Sequence, residues 1–215
     1  MKKLFLIAAL LHCVFLTPLL CNKPTPPITT TVEEILALLQ SGATMDYIGE
    51  DISQLEHALQ CAQQAHEAGA DEQTIIAALL HDIGHLCQTS DKSSMGGYGV
   101  ISHEKIGAEF VLKRGFAQKI AELIDGHVQA KRYLTYKDPL YFQLLSPASI
   151  ETLSFQGGPM SAEEAALFEL DPLFEQKLQM RRWDEAAKIV GAATNPLDYY
   201  RNMLIQHLEQ SSLTH

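Results

Sequence analysis

The stretch Ala77-Ala78-Leu79-Leu80-His81-Asp82-Ile83-Gly84-His85 constrains the fold more than any other part of the chain. Its first half is an uncharged run of small and branched apolar residues, as expected of a helix buried all round. It then delivers an adjacent histidine and aspartate, which are costly to bury without partners. Neighbouring side chains on a helix diverge by about 100°. A carboxylate reaches sideways, however, so His81 and Asp82 can converge on one metal ion while the second carboxylate oxygen addresses another. His85 lies one turn beyond His81 on the same edge.

Partners for this pair recur along the sequence. His57 lies 24 residues before His81, His103 lies 22 after it, His127 another 24 on, and Asp184 closes Arg181-Arg182-Trp183-Asp184. The series His57, His81-Asp82, His103, His127, Asp184 offers four imidazoles and two carboxylates on separate helical segments. Iron, manganese and zinc all accept such a mixed nitrogen and oxygen set. Six ligands with one bridging carboxylate suit two ions rather than one.

At 215 residues and 47% hydrophobic content, the chain can form one domain with a substantial core. The formal charge is −10 with only 16 lysines and arginines, and no basic stripe is present, which argues against a nucleic-acid polymer as partner. A small anionic substrate remains compatible if a few cations gather locally.

Lys2-Lys3 followed by an apolar run to Leu20 predicts export or membrane tethering. The run is short for a membrane span and Pro18 interrupts it. Leu20 before Cys21 is not the small residue that lipoprotein processing prefers. Residues 1–21 are therefore read as a signal or anchor segment, the only part with possible membrane contact. Residues 22–30 are read as a linker rich in proline and threonine, and 31–215 as one helical domain.

Within that domain, Thr31 with Glu34 predicts a capping box opening a helix that stops at Gly42. Further helices are expected over 51–68, 72–87, 104–114 and 116–126, the last ending at Gly126 and delivering His127. Residues 88–102 lack periodicity and predict a functional loop. Asp138–Leu145 reads as a helix, Ser146-Pro147 as a break, and Ser161 with Glu164 as a second capping box. Asp171-Pro172 opens the helix that carries Arg181 and Asp184, and a final helix runs over 196–210. No alternating strand pattern occurs, so the fold class is all-α. His66 reads as a surface residue, and Cys61 and Cys87 as small buried ones.

The ligand series resembles that of the HD-domain superfamily. From Tyr47 to Asp184, about two-thirds of the chain, it resembles the mixed-valent di-iron oxygenases that cleave carbon–phosphorus bonds. These are the glycine-forming 2-amino-1-hydroxyethylphosphonate dioxygenases and their trimethylammonio-substrate relatives, cousins of myo-inositol oxygenase. Phosphohydrolases share most of the metal series. What narrows the resemblance is Tyr47-x-x-Glu50 ahead of His57, with Lys131, Ser149 and Arg181 in order.

The resemblance implies an HD-domain helical bundle with a dinuclear Fe(II)/Fe(III) site in its core. His57, His81, Asp82 and Asp184 would hold one iron, and Asp82, His103 and His127 the other, with Asp82 bridging. Lys131, Ser149, Arg181 and His85 match the positions that hold the phosphonate. Tyr47 would block the reactive iron until substrate arrives, and Glu50 would then meet the substrate's ammonium group. The implied reaction is O2-dependent oxidation of a small α-hydroxy-aminoalkylphosphonate, releasing phosphate and a carboxylate such as glycine. The chemistry of the residues agrees, since arginine and lysine with a hydroxyl make a fitting cradle for a phosphonate. On the residues alone, Lys131 and Arg181 equally suit solvated helix ends, Ser149 a turn after Pro147, and Glu50 a helix N-terminus. The alternative is an HD-type phosphohydrolase, whose divalent metals activate water against a phosphomonoester or nucleotide. The resemblance also implies a cytoplasmic enzyme, against the export suggested by the first 21 residues.

Overall fold

In the computed structural model, residues 26–47, 49–87 and 94–213 are described. The expected signal or anchor segment, residues 22–25 of the linker and residues 88–93 of the loop after Cys87 lie outside them. Apolar residues at helical spacing build α1 (Ile28–Ser41), α2 (Gln54–Glu67) and α3 (Glu72–Leu80), followed by the single turn α4 (Ile83–Leu86). Then come α5 (His103–Leu112), α6 (Gln118–Lys137), α7 (Pro139–Leu144), α8 (Pro147–Phe155), α9 (Ala162–Phe168), α10 (Phe174–Ala186) and α11 (Arg201–Ser212). Short 3₁₀ turns at Gly42–Thr44 and Leu197–Tyr200 complete the set. Among the described residues the only strand-like pairings are two isolated bridges, Asp46 with Ser53 and Ser94 with Val100.

The long helix α6 is the axis of the bundle: α3, α5, α7, α9 and α10 all pack against it. The main core joins Val32, Ile35 and Leu39 of α1, Cys61 and Ala65 of α2, the run from Ile75 to Leu80, and Ile120, Leu123 and Ile124 of α6. A smaller cluster around Tyr133, Leu134, Met160 and Leu178 secures the far half of α6. No described helix is long and apolar enough to cross a membrane.

Several helix ends differ from the sequence expectation, each for a local reason. Helix α1 begins at Ile28 behind Pro27, so Thr31 lies inside it, buried, and Thr31 and Glu34 form no cap. The box that does form on α2 is Ser53 with Glu56. The expected helix over 72–87 is interrupted at His81-Asp82, where Asp82 leaves helical geometry (φ −101°, ψ 8°). Ser146-Pro147 starts a helix rather than breaking one: Ser146 caps α8 and Pro147 occupies its first turn, where a missing N–H costs nothing. Helix α6 runs straight through Gly126. A side chain at Gly126 would meet the stem of Lys177 at 2.5–2.7 Å, so the glycine admits α10 instead of ending α6. The box of Ser161 and Glu164 forms as read. His66 is exposed, and Cys61 and Cys87 are buried.

Candidate metal centre and substrate cavity

Each histidine of the series reaches the same interior point from a different element. His57 comes from the first turn of α2, His81 from the end of α3, His103 from the first residue of α5, and His127 from the middle of α6. All four are buried. The approach of α4 to α5 depends on Gly84, whose missing Cβ would stand 2.0 Å from the His103 carbonyl oxygen. That contact carries Asp82 and His103 to the same place.

Backbone carbonyls fix the ring tautomers. Nδ1 of His57 bonds the Ala187 carbonyl at 2.8 Å, His81 that of Ala78 at 2.9 Å, His103 that of Val100 at 3.3 Å, and His127 that of Ile124 at 2.6 Å. A carbonyl only accepts, so each Nδ1 carries a proton and each ring, when neutral, presents a lone pair at Nε2. The lone pairs face one another in two couples: Nε2 of His57 and His81 lie 3.1 Å apart, as do those of His103 and His127. Lone pair against lone pair is repulsive unless a cation stands between them.

Asp82 divides its two oxygens between these couples. Oδ2 lies 3.6 Å from His57 Nε2 and 3.4 Å from His81 Nε2, while Oδ1 lies 3.3 Å from His103 Nε2 and 3.5 Å from His127 Nε2. Asp184 Oδ1 joins the first couple, 3.4 Å from His57 and 3.9 Å from His81. His57, His81 and Asp82 thus form one group able to hold an ion, and Asp82, His103 and His127 a second. Burial alone would raise the Asp82 and Asp184 carboxyls. The histidines around Asp82, and Arg181 with His57 and His81 around Asp184, hold both well below the usual range. Burial likewise lowers His81, but the Asp82 carboxylate more than reverses it; the same field favours any cation at that nitrogen. Burial beside His103 pushes His127 down to about 3, so its Nε2 stays available as a donor. The donor set therefore fits a pair of metal ions.

A cavity of about 470 Å³, including its mouth, opens beside this centre. Asp82, His103, His127 and Asp184 form its floor, and every residue expected to touch substrate lines it: Glu50, His85, Lys131, Ser149 and Arg181, with Tyr47. Lys131 follows His127 by one turn of α6, and Arg181 precedes Asp184 by three residues on α10. The two cations therefore reach the cavity from the helices that supply the floor, rather than as solvated helix ends. Lys131 is buried, with Nζ donating to Thr152 Oγ1 at 2.7 Å and Gln156 Oε1 at 2.9 Å. Burial, with Arg181 nearby, lowers its ammonium to about 7. Arg181 Nε donates to the Tyr141 hydroxyl at 2.7 Å, and its terminal nitrogens pair with Asp184 and Glu185.

Tyr47 stacks on His57 with ring centroids 3.7 Å apart, and its hydroxyl lies 3.4 Å from Asp184 Oδ1. Glu50 follows across a tight loop in which Gly49 takes φ +75° and the Glu50 N–H bonds the Tyr47 carbonyl at 2.8 Å. His85 stacks on His103 at 4.0 Å between centroids. Sequence reasoning missed Thr152, Gln156, Tyr141 and Lys188. Thr152 and Gln156 were hidden because α8 was not expected. Lys188 falls just past the end of α10, where helical spacing from Arg181 no longer predicts direction.

Comparison with known proteins places these features in context. The HD-domain family profile matches residues 55–173. A [1-hydroxy-2-(trimethylamino)ethyl]phosphonate dioxygenase (glycine-betaine-forming) of Leisingera caerulea is 43% identical over 157 residues, covering 73% of this chain and 80% of its own. A hydroxymethylphosphonate dioxygenase of Gimesia maris is 38% identical over 181 residues, covering 84% and 89%. An uncharacterised protein of Acanthamoeba polyphaga mimivirus is 42% identical over 192 residues, covering 89% and 88%.

Proposed function

This chain belongs to the HD-domain family, among its phosphonate dioxygenases, and on that premise we propose that it oxidatively cleaves the C–P bond of a small 1-hydroxyphosphonate. The finer reading is an α-hydroxy-aminoalkylphosphonate, cleaved with O2 at a pair of irons to phosphate and a carboxylate such as glycine. The observation that carries it is the juxtaposition of a carboxylate shared between two histidine couples with a cation-lined cavity on the same helices.

In this reading His57, His81, Asp82 and Asp184 hold one iron, and Asp82, His103 and His127 the other. Iron would supply the redox chemistry with oxygen; the chain's own residues do the rest. Arg181 and Lys131 draw in the phosphonate and fix its orientation, a task suited to charge-assisted bonds in a buried site. Ser149 Oγ and the Nε2–H of His85 add uncharged contacts. Glu50 receives the substrate's ammonium group at the other end. Tyr47 closes the site over the metal floor until substrate displaces it, keeping water and idle oxidation out. Three protein donors on the second metal, against four on the first, support leaving room there for small molecules.

Metal analysis with electron paramagnetic resonance tests this reading. Purified protein should carry about two irons per chain, with the signal of a coupled mixed-valent pair that changes when a 1-hydroxyphosphonate is added. Full activity with magnesium or zinc alone would overturn it.

A further inference from the structure

Lys188 brings a third cation to the cavity, and its partners bear on which substrates the site selects. It lies just beyond α10, with only 12% of its side chain exposed. Nζ lies 2.7 Å from Glu185 Oε1, 3.3 Å from Ser149 Oγ and 3.5 Å from Glu50 Oε1. Glu185 in turn pairs with Arg181. One ammonium therefore touches the residue proposed for the substrate's amine and a residue proposed for its phosphonate, and reaches a second of the latter through Glu185.

The contact with Glu50 is of a particular kind. Glu50 Oε1 is buried and accepts no hydrogen bond, so Lys188 offsets its charge through space without occupying its lone pairs. A carboxylate in that state can still accept an N–H or O–H from a bound molecule. Its pull on a cationic tail is weakened, because the tail must approach the Lys188 ammonium as well.

We propose that Lys188 is a specificity-determining residue, an internal counter-ion of Glu50 that lowers the site's preference for phosphonates with a cationic tail and lets it accept uncharged tails. This rests on the phosphonate reading above. Removing the cation has two separable effects. An ammonium tail gains the uncompensated Glu50, which shifts the ratio, whereas the positive charge lost near the phosphonate weakens both kinds of ligand and cancels in it.

The test is calorimetric binding of 2-aminoethylphosphonate and of ethylphosphonate to the purified iron-loaded protein and to Lys188→Met, Lys188→Arg and Glu50→Gln. The ratio of the two affinities should move about tenfold toward the amine in Lys188→Met, the size of one charge-assisted contact. It should stay near that of the parent protein in Lys188→Arg and shift away from the amine in Glu50→Gln. A merely structural lysine, or one that only grips the phosphonate, would weaken both ligands alike. An unchanged ratio in Lys188→Met, with both ligands still bound by the parent, overturns the role of Lys188 alone. Should the parent protein bind neither phosphonate, the phosphonate reading falls and the role of Lys188 with it.

Discussion

The backbone N–H of Val100 donates to Nδ1 of His85 at 3.0 Å, which leaves the proton of the neutral His85 ring on Nε2, the nitrogen left for the cavity. The carbonyl of the same residue bonds Nδ1 of His103, so the backbone of one residue sets two neighbouring rings to opposite tautomers. His103 presents a lone pair and His85 presents a donor. Burial, reinforced by His103, keeps His85 well below the ordinary histidine range and therefore neutral. His85→Ala should raise KM for a phosphonate about three- to tenfold, the worth of one neutral hydrogen bond, with iron content unchanged. His85→Gln, which keeps a donor, should recover part of the loss. Metal analysis beside steady-state kinetics checks both; loss of iron in His85→Ala would make it a support of the centre rather than a substrate contact.

Asp82 should behave unlike any other ligand. Each of its oxygens serves one histidine couple, so Asp82→Ala should lower occupancy of both metal positions. His127→Ala should mainly affect the second. Iron per chain, measured on proteins purified in parallel, separates the cases. Full retention of two irons in Asp82→Ala would refute the bridge.

The pH profile carries the mark of Lys131. With its ammonium lowered to about 7, the cation is present below that pH and lost as pH rises through it. Attraction for a phosphonate falls in the same direction, so kcat/KM should show a basic limb near 7. Arginine stays charged throughout, so Lys131→Arg should move that limb upward by two units or more. A limb that stays near 7 in Lys131→Arg assigns it to another group.

Much of the centre was legible in the sequence because ligand chemistry depends on residue type and order. Four histidines and two aspartates on separate helices admit few buried arrangements other than a shared ion. The all-α class was legible too, from periodicity. What escaped depended on packing between helices. Gly126 reads as a helix end and is instead the gap through which Lys177 passes. Ser146-Pro147 reads as a break and is a cap with its proline in the first turn. Missing α8 hid Thr152 and Gln156, the two residues that hold the Lys131 ammonium in place. Gly84 suits a helix terminus by sequence; its role lies in the 2.0 Å that a methyl would leave to the His103 carbonyl.

That close approach gives a stability prediction. Gly84→Ala must push α4 off α5, and overpacking of this kind costs roughly 1–3 kcal/mol. The move also separates Asp82 from His103. Thermal unfolding should show a lower Tm, and metal analysis should show the second iron preferentially lost. An unchanged Tm with two irons would mean that the helices yield there freely.

Oxygen-dependent cleavage is tested most directly by phosphate release from 2-amino-1-hydroxyethylphosphonate and from hydroxymethylphosphonate, with and without oxygen, on iron-loaded protein. The expected result is release of phosphate from at least one of them, one mole per mole of O2 consumed, and none under strict anaerobiosis. Release at full rate without oxygen would contradict it and show that the metal centre works by hydrolysis rather than oxidation.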